Sequence, residues 1–318
     1  MNIESHQHVF WHGRDDTALI ADLDAQGIDL CWLLTWEIPS HPVYPENFTF
    51  AGVLNPARVR PDGSHPGILL EDLLIARDRH PGRFVLGYCP DPANPNAPAL
   101  FEEAAKMHGV RVCGEWKFRM LIDDPRCLEL FRVAGRAKAP VVLHLDVPYL
   151  PDAEGRRVYQ PGWYGGTIEN LERALKACPE TSFIGHAPGF WREISGDADR
   201  TPDGYPFSPV VAGGRIQRLF DTCPNLYADI SAGSGLRALQ RDPRHAQQFI
   251  VRYADRLLFG RDYFGGEHLA FLATLDLPAE AREKLMFRNA LKLVDPKDVP
   301  APHPGLMRFV SPAKDDRP

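Results

Sequence analysis

The sequence predicts an α/β fold, a TIM-type barrel of eight parallel strands, and three observations predict it. Short β-rich runs alternate eight times with amphipathic helical segments, the pattern of parallel strands joined by crossover helices. The first strand ends in His6-Gln7-His8, where an open doubly wound sheet, the rival architecture, usually carries a G-x-G-x-x-G turn. The three longest loops all follow strand ends, which is where a barrel raises its active-site loops.

The elements follow in order. Strands are expected at residues 3–8, 30–36, 83–89, 110–117, 141–146, 182–186, 226–231 and 257–262. A first helix at 15–26 carries Leu19, Ile20 and Leu23 on one face, and Gly27 can end it in the left-handed conformation. A helix at 68–80 is apolar at Leu69, Leu70, Leu73 and Leu74. Helices at 98–108, 125–138, 167–177 and 243–255 follow the same logic, several with proline in the first turn. A shorter one at 215–222 sits between strands six and seven, and two more, 268–275 and 278–294, follow the last strand. The long loops span 37–66, 147–166 and 187–214; loops of this length are usually functional or disordered. The barrel is expected over 1–295. The Pro- and charge-rich tail, 296–318, reads as a strap or a frayed end.

Composition excludes several classes. The 318 residues are 44% apolar and 25% charged, with a net charge of −6, which favours neither a nucleic-acid backbone nor an anionic membrane. No apolar run approaches the ~18 residues of a membrane span. The start lacks a basic segment followed by an apolar one, so no secretory signal is expected. Six cysteines lie far apart with no C-x-x-C pair, which reads as reduced thiols in a cytoplasmic protein.

Five residues carry the chemistry. Period-two alternation puts His6 and His8 on one face of the first strand. His144 closes Val141-Val142-Leu143, His186 closes Ser182-Phe183-Ile184-Gly185, and Asp262 closes Leu257-Leu258-Phe259-Gly260-Arg261. Each is polar after a largely apolar run, at the carboxyl end of its strand, and in a barrel those ends converge on one mouth. Four imidazoles and a carboxylate there suit Zn²⁺, or Mn²⁺ or Fe²⁺. A lone histidine is more often a hydrogen-bonded structural residue; five titratable groups at one rim are not explained that way.

Glu4-Ser5-His6-Gln7-His8, His144, His186 and Asp262, with Phe183-Ile184-Gly185-His186, residues 257–262 and Arg288-Asn289-Ala290, resemble the amidohydrolase superfamily. More narrowly, they resemble its amidohydrolase-related branch, which includes aminocarboxymuconate-semialdehyde decarboxylase-like enzymes and sugar-lactone hydrolases. The similarity covers roughly residues 1–294. It implies a barrel, a divalent metal at the strand ends, and either hydrolysis or non-oxidative decarboxylation. On that basis His6, His8 and His144 are expected as ligands of one zinc ion. Asp262 is expected as ligand and proton acceptor, and His186 as a non-ligand that orients water or stabilises an oxyanion, becoming a ligand if there are two ions. Glu4 is a candidate to fix the His6 ring. Two departures stand out: Glu4 where the family more often has Asp, and Arg261 where Ser or Thr is common. Glu115 and Lys117 both face the mouth by alternation. Either they contact the substrate or each other, or one bridges two metals.

Trp11, Trp36, Trp116, Trp163 and Trp191 lie at or just after strand ends, and Lys117, Arg119, Arg192 and Arg261 could meet a carboxylate. The substrate-contacting set is expected to include Glu115, Lys117, Arg119, Trp163 and Trp191. Aromatic walls with cations suit a small cyclic carboxylated compound. The lead expectation is a metal-dependent hydrolase of a lactone, ester or amide, since His6-Gln7-His8-Val9-Phe10-Trp11 is similar to the start of sugar lactonases. A metal-dependent decarboxylase is the alternative; a metal-independent lactonase and a non-catalytic binding barrel are further ones. Members of the family often form homodimers. His65, His80, His245 and His303 are expected to tolerate substitution.

Overall fold

The computed structural model describes residues 1–294; the expected tail lies outside them. Eight strands appear in the predicted order: β1 Ile3–Gln7, β2 Leu30–Leu34, β3 Phe84–Gly87, β4 Cys113–Trp116, β5 Val141–His144, β6 Phe183–His186, β7 Leu226–Asp229 and β8 Leu257–Leu258. All pairings among them are parallel, in a ladder β1-β2-β3 and a ladder β8-β7-β6-β5-β4. Two seams join the ladders. Gly87 bridges Val112, just ahead of β4. At the other seam the Ser5 amide donates to the Phe259 carbonyl at 2.8 Å, and the Asp262 amide donates to the His6 carbonyl at 3.0 Å. The result is the TIM barrel that the alternating pattern predicts.

All eight strands are buried along their whole length, as expected of a parallel sheet covered by helices. The helix Pro125–Arg136 shows how the cover forms. The Asp124 side chain caps it by accepting from the Arg126 amide, and Pro125 occupies the first turn. Cys127, Leu130, Phe131 and Ala134 then recur at helical spacing and are buried. Phe131 meets Phe183 of β6 edge-on at 5.3 Å.

The long loops contain structure below the resolution of sequence periodicity. Trp36–Glu37 pairs antiparallel with Gly67–Ile68, and Tyr149–Pro151 with Arg157–Tyr159. A helix at Ala232–Gln240, between β7 and the predicted helix Pro243–Arg252, is an addition to the expected set. Its Gly233-Ser234-Gly235 start reads poorly as helix. Gly235 is required by close approach, since a Cβ there would lie 2.9 Å from the Ile230 Cα. All six cysteines are buried and unpaired. No described helix is long and apolar enough to cross a membrane.

Candidate active site

The strand register gathers the histidines. His144 and His186 are direct partners across β5 and β6, and β1, at the barrel-closing seam, brings His6 within 4.1 Å of the His186 ring. Asp229, at the end of β7, organises two of them: its Oδ2 lies 3.0 Å from His6 Nδ1 and its Oδ1 2.9 Å from His186 Nδ1. The Ser231 amide also donates to it. His8 Nδ1 lies 2.9 Å from the Leu34 carbonyl. A carbonyl and a carboxylate only accept, so in all three rings Nδ1 is the N–H donor, and Nε2 presents its lone pair whenever the ring is neutral.

Those three Nε2 atoms face two carboxylates. Glu115 lies 3.9, 3.4 and 3.8 Å from the Nε2 of His6, His8 and His186, and Asp262 lies 3.9, 3.6 and 3.7 Å from them. Burial pushes the Asp229 and Glu115 carboxyls up. Their neighbours outweigh it and hold both well below the usual range: His186 and His6 beside Asp229, Lys117 and His144 beside Glu115. Burial likewise pushes His186 down, but Asp229, Glu115 and Asp262 raise it to about 9. The cluster is rich in negative charge and calls for cations.

His6 Nε2 and Asp262 Oδ1 are buried with no hydrogen-bond partner among the described residues. Orphaned buried acceptors of this kind are costly unless something outside the protein meets them. Two sets of donor atoms, His6-Glu115-His186 and His6-His8-Asp262, each lie within 4.8 Å of one another and share His6. The residues present therefore fit a divalent cation.

The geometry revises several expectations. His6, His8 and Asp262 converge as expected. His144 stands apart: its Nδ1 meets Glu115 at 2.6 Å and its Nε2 meets Asp146 at 2.9 Å, so carboxylates take both nitrogens. His186, expected as a non-ligand, belongs to one donor set. Glu115 sits among the imidazoles, away from the substrate wall. Glu4 does not touch His6; it forms a buried ion pair with Arg261, whose Nε donates to it at 2.7 Å, and Arg261 also meets Asp22 at 2.8 Å. Arg261 is thus not available to a substrate. Asp229 escaped the sequence reading, yet it closes Leu226-Tyr227-Ala228 by the same rule that singles out His144 and His186.

Beside the histidines lies a 250 Å³ cavity walled by Trp36, Phe50, Lys117, Asp146, Tyr164 and Tyr205. Lys117 stands 4.2 Å over the Trp36 ring. A 350 Å³ cavity continues it, sharing Asp146, Pro188 and Tyr205 and adding Trp163 and Arg192. Trp11 and Trp36 meet edge-on at 5.5 Å at this rim. Arg119 is occupied by Glu46 at 2.5 Å. Trp191 is buried behind the site, donating its Nε1 to the Asp229 carbonyl at 3.0 Å, so it does not reach a substrate. Trp116 packs in the core between Phe118 and Phe131. His65, expected to be dispensable, is buried and bonded to the Asn55 carbonyl and the Gly67 amide; His80 pairs with Asp16 at 2.9 Å.

No curated protein is significantly similar in sequence. Solved structures are similar in fold. An uncharacterised TIM-barrel protein from Bordetella bronchiseptica superposes with a TM-score of 0.58 at 18% identity, covering 92% of this chain and 97% of that one. A 2,6-dihydroxybenzoate decarboxylase from Rhizobium gives 0.57 at 15% identity, covering 92% and 98%. A dihydroxybenzoic acid decarboxylase from a Polaromonas species, with bound manganese and 2-nitroresorcinol, gives 0.55 at 16%, covering 92% and 96%. The family model described as Amidohydrolase matches residues 56–295, a span that holds Glu115, His144, His186, Asp229 and Asp262 and begins after His6 and His8. With that match over most of its length, the chain belongs to the amidohydrolase family of enzymes.

Proposed function

We propose that this enzyme is a metal-dependent hydrolase of a small cyclic or carboxylated compound, a lactone, ester or amide. The observation that carries the reading is the pair of orphaned acceptors, His6 Nε2 and Asp262 Oδ1, in a cluster whose neighbour His144 walls an aromatic cavity that contains Lys117. One zinc ion held by His6, His8 and Asp262 is the simplest occupant. His6 with Glu115 and His186 is the second donor set, and it suits a further ion if there is one. A divalent ion there supplies Lewis acidity that polarises the scissile carbonyl and makes water acidic near neutral pH. The protein does the rest. The Asp262 carboxylate accepts the proton of the attacking water and returns it to the leaving group. His186, held in direction by Asp229 and raised to about 9 by the surrounding carboxylates, carries a proton on Nε2 and donates it in a hydrogen bond to the developing oxyanion. Trp36 and Tyr164 flank Lys117, which holds the substrate's anionic group. A cytoplasmic setting suits the six unpaired thiols.

A second reading, non-oxidative decarboxylation of an aromatic acid, is favoured by the similar structures named as decarboxylases of dihydroxybenzoic acids, one of them with manganese. The same cavity would take such a ring. Incubation with a panel of lactones and with 2,6-dihydroxybenzoate, following ring opening and CO₂ release separately, decides between them. Ring opening is expected; CO₂ release alone would replace the first reading by the second.

A further inference from the structure

Two cations line the trough without a carboxylate within 4.0 Å among the described residues. Lys117 stands beside the histidines and Arg192 lies in the farther cavity. Asp146 is engaged by His144, and Glu46 by Arg119 and Tyr164. Arg192 is the more unusual of the two, for its residue is only 4% exposed. One of its nitrogens donates to the Ala198 and Thr201 carbonyls, while its Nε is buried with no partner. A guanidinium out of water normally has an anion beside it. Arg192 also borders a separate 390 Å³ cavity, but the charges of that wall already balance, Arg157, Arg192 and Arg215 against Glu169, Glu193 and Asp199, with all three carboxylates paired to Arg215. The trough side, where Asp146 is the other charged wall residue and is already paired, is the side open to one.

We propose that Arg192 receives a second anionic group of the substrate, so that the enzyme acts on a dianionic compound, a dicarboxylic acid or its lactone or ester. Lys117 grips one end beside the reacting bond, and Arg192 grips the other at the far end of the trough. The proposal rests on reading the trough as the substrate site. It adds a length requirement, because the two charges must match the separation of the two cations.

The test is calorimetric binding to the enzyme as purified with its metal. The probes are linear dicarboxylates of increasing length, each against the monocarboxylate of the same length. One length of dicarboxylate is expected to bind about tenfold tighter than its monocarboxylate, the value of one charge-assisted contact. Arg192→Gln removes the charge and keeps a polar amide near the position of Nε. It is expected to bring the ratio to about one while leaving monocarboxylate binding unchanged. Arg192→Lys should restore part of the preference, and Lys117→Met should weaken both classes of ligand. A native enzyme that prefers no dicarboxylate of any length overturns the proposal, whether or not the variants fold. So does a preference that persists in Arg192→Gln, which would then arise from chelation at the histidines. Loss of lactone hydrolysis with the preference intact would remove the reaction assigned above and leave this subsite standing.

Discussion

Asp229 fixes two of the four imidazoles through one carboxylate, and both need its oxygens as acceptors. Asp229→Asn replaces one oxygen by an N–H₂ that points donor against donor at His6 or His186. Metal affinity is expected to fall about 10- to 100-fold, the usual cost of losing such a partner, with the far-ultraviolet spectrum unchanged. Metal content after dialysis against a weak chelator reads this out; full retention would show that the ring directions do not depend on Asp229. A different histidine contributes to stability against pH. His268 is buried, and that burial lowers it to about 4 although its Nε2 is bonded to the Ala232 carbonyl. Between pH 4 and the ordinary value of 6.5 the unfolded chain binds a proton that the folded chain refuses. The His268 contribution is therefore complete above pH 6.5 and is lost as the pH falls towards 4, by about 3 kcal/mol over the window, against the opposite contributions of Glu4 and Glu37, which burial raises to about 7. Urea titrations at several pH values should show the native chain losing about this much stability relative to His268→Gln as the pH falls from 6.5 to 4; a difference that does not change with pH would show that His268 does not titrate in this window.

The strand ends are where the sequence is most legible, and the reason is physical. A parallel strand buried on both faces must be an apolar run, so a polar residue closing that run marks the rim. This rule places His144, His186, Asp262 and, applied once more, Asp229. It does not reveal which carboxylate meets which imidazole. The pairing of Glu115 with His144, and the burial of Trp191 behind Asp229, depend on side-chain directions across neighbouring strands that no single strand encodes. Pairings two or three residues long, such as Tyr149–Pro151 with Arg157–Tyr159, are too short to set up a period. The loop after β6 shows the same dependence on close approach. A Cβ on Gly189 would lie 2.7 Å from the Asp146 Cα and collide with the Leu145 carbonyl. Gly189→Ala is expected to displace Pro188 and Asp146, which border the trough. It should raise KM at least severalfold with a smaller loss of kcat, since His6, His8 and Asp262 sit on other backbone. An unchanged KM would show that this loop does not shape the trough.

The barrel closes where its chemistry sits. Asp262 and His6 share a hydrogen bond across the β8–β1 seam, so the ion site and the last join of the fold use the same residues. The seam is also held by groups that no ion touches, and this separates two outcomes. Removing metal with a chelator is expected to abolish activity and lower the melting temperature by several degrees, as loss of a ligand bound only by the folded state must, while the barrel persists. Zinc should restore both; a protein equally active and equally stable in chelator would exclude a metal role. The seam itself answers to Glu4 and Arg261. Each departs from the residue common in the family, and here they lie against each other: the Arg261 amide and Nε both donate to Glu4 at 2.7 Å, with the pair almost wholly buried. The two losses differ in kind: Glu4 without Arg261 is a buried charge without its cation, which costs about 3–5 kcal/mol, whereas Arg261 without Glu4 keeps Asp22 at 2.8 Å. Glu4→Gln should therefore lose measurably less than that in urea unfolding, and Arg261→Met about that much. Adding Arg261→Met to it should cost clearly less than the sum of the two single losses, since both remove one shared interaction. If the two losses simply added, Glu4 and Arg261 would be independent, and the seam would owe its strength to the backbone bonds of Ser5 and Asp262 alone.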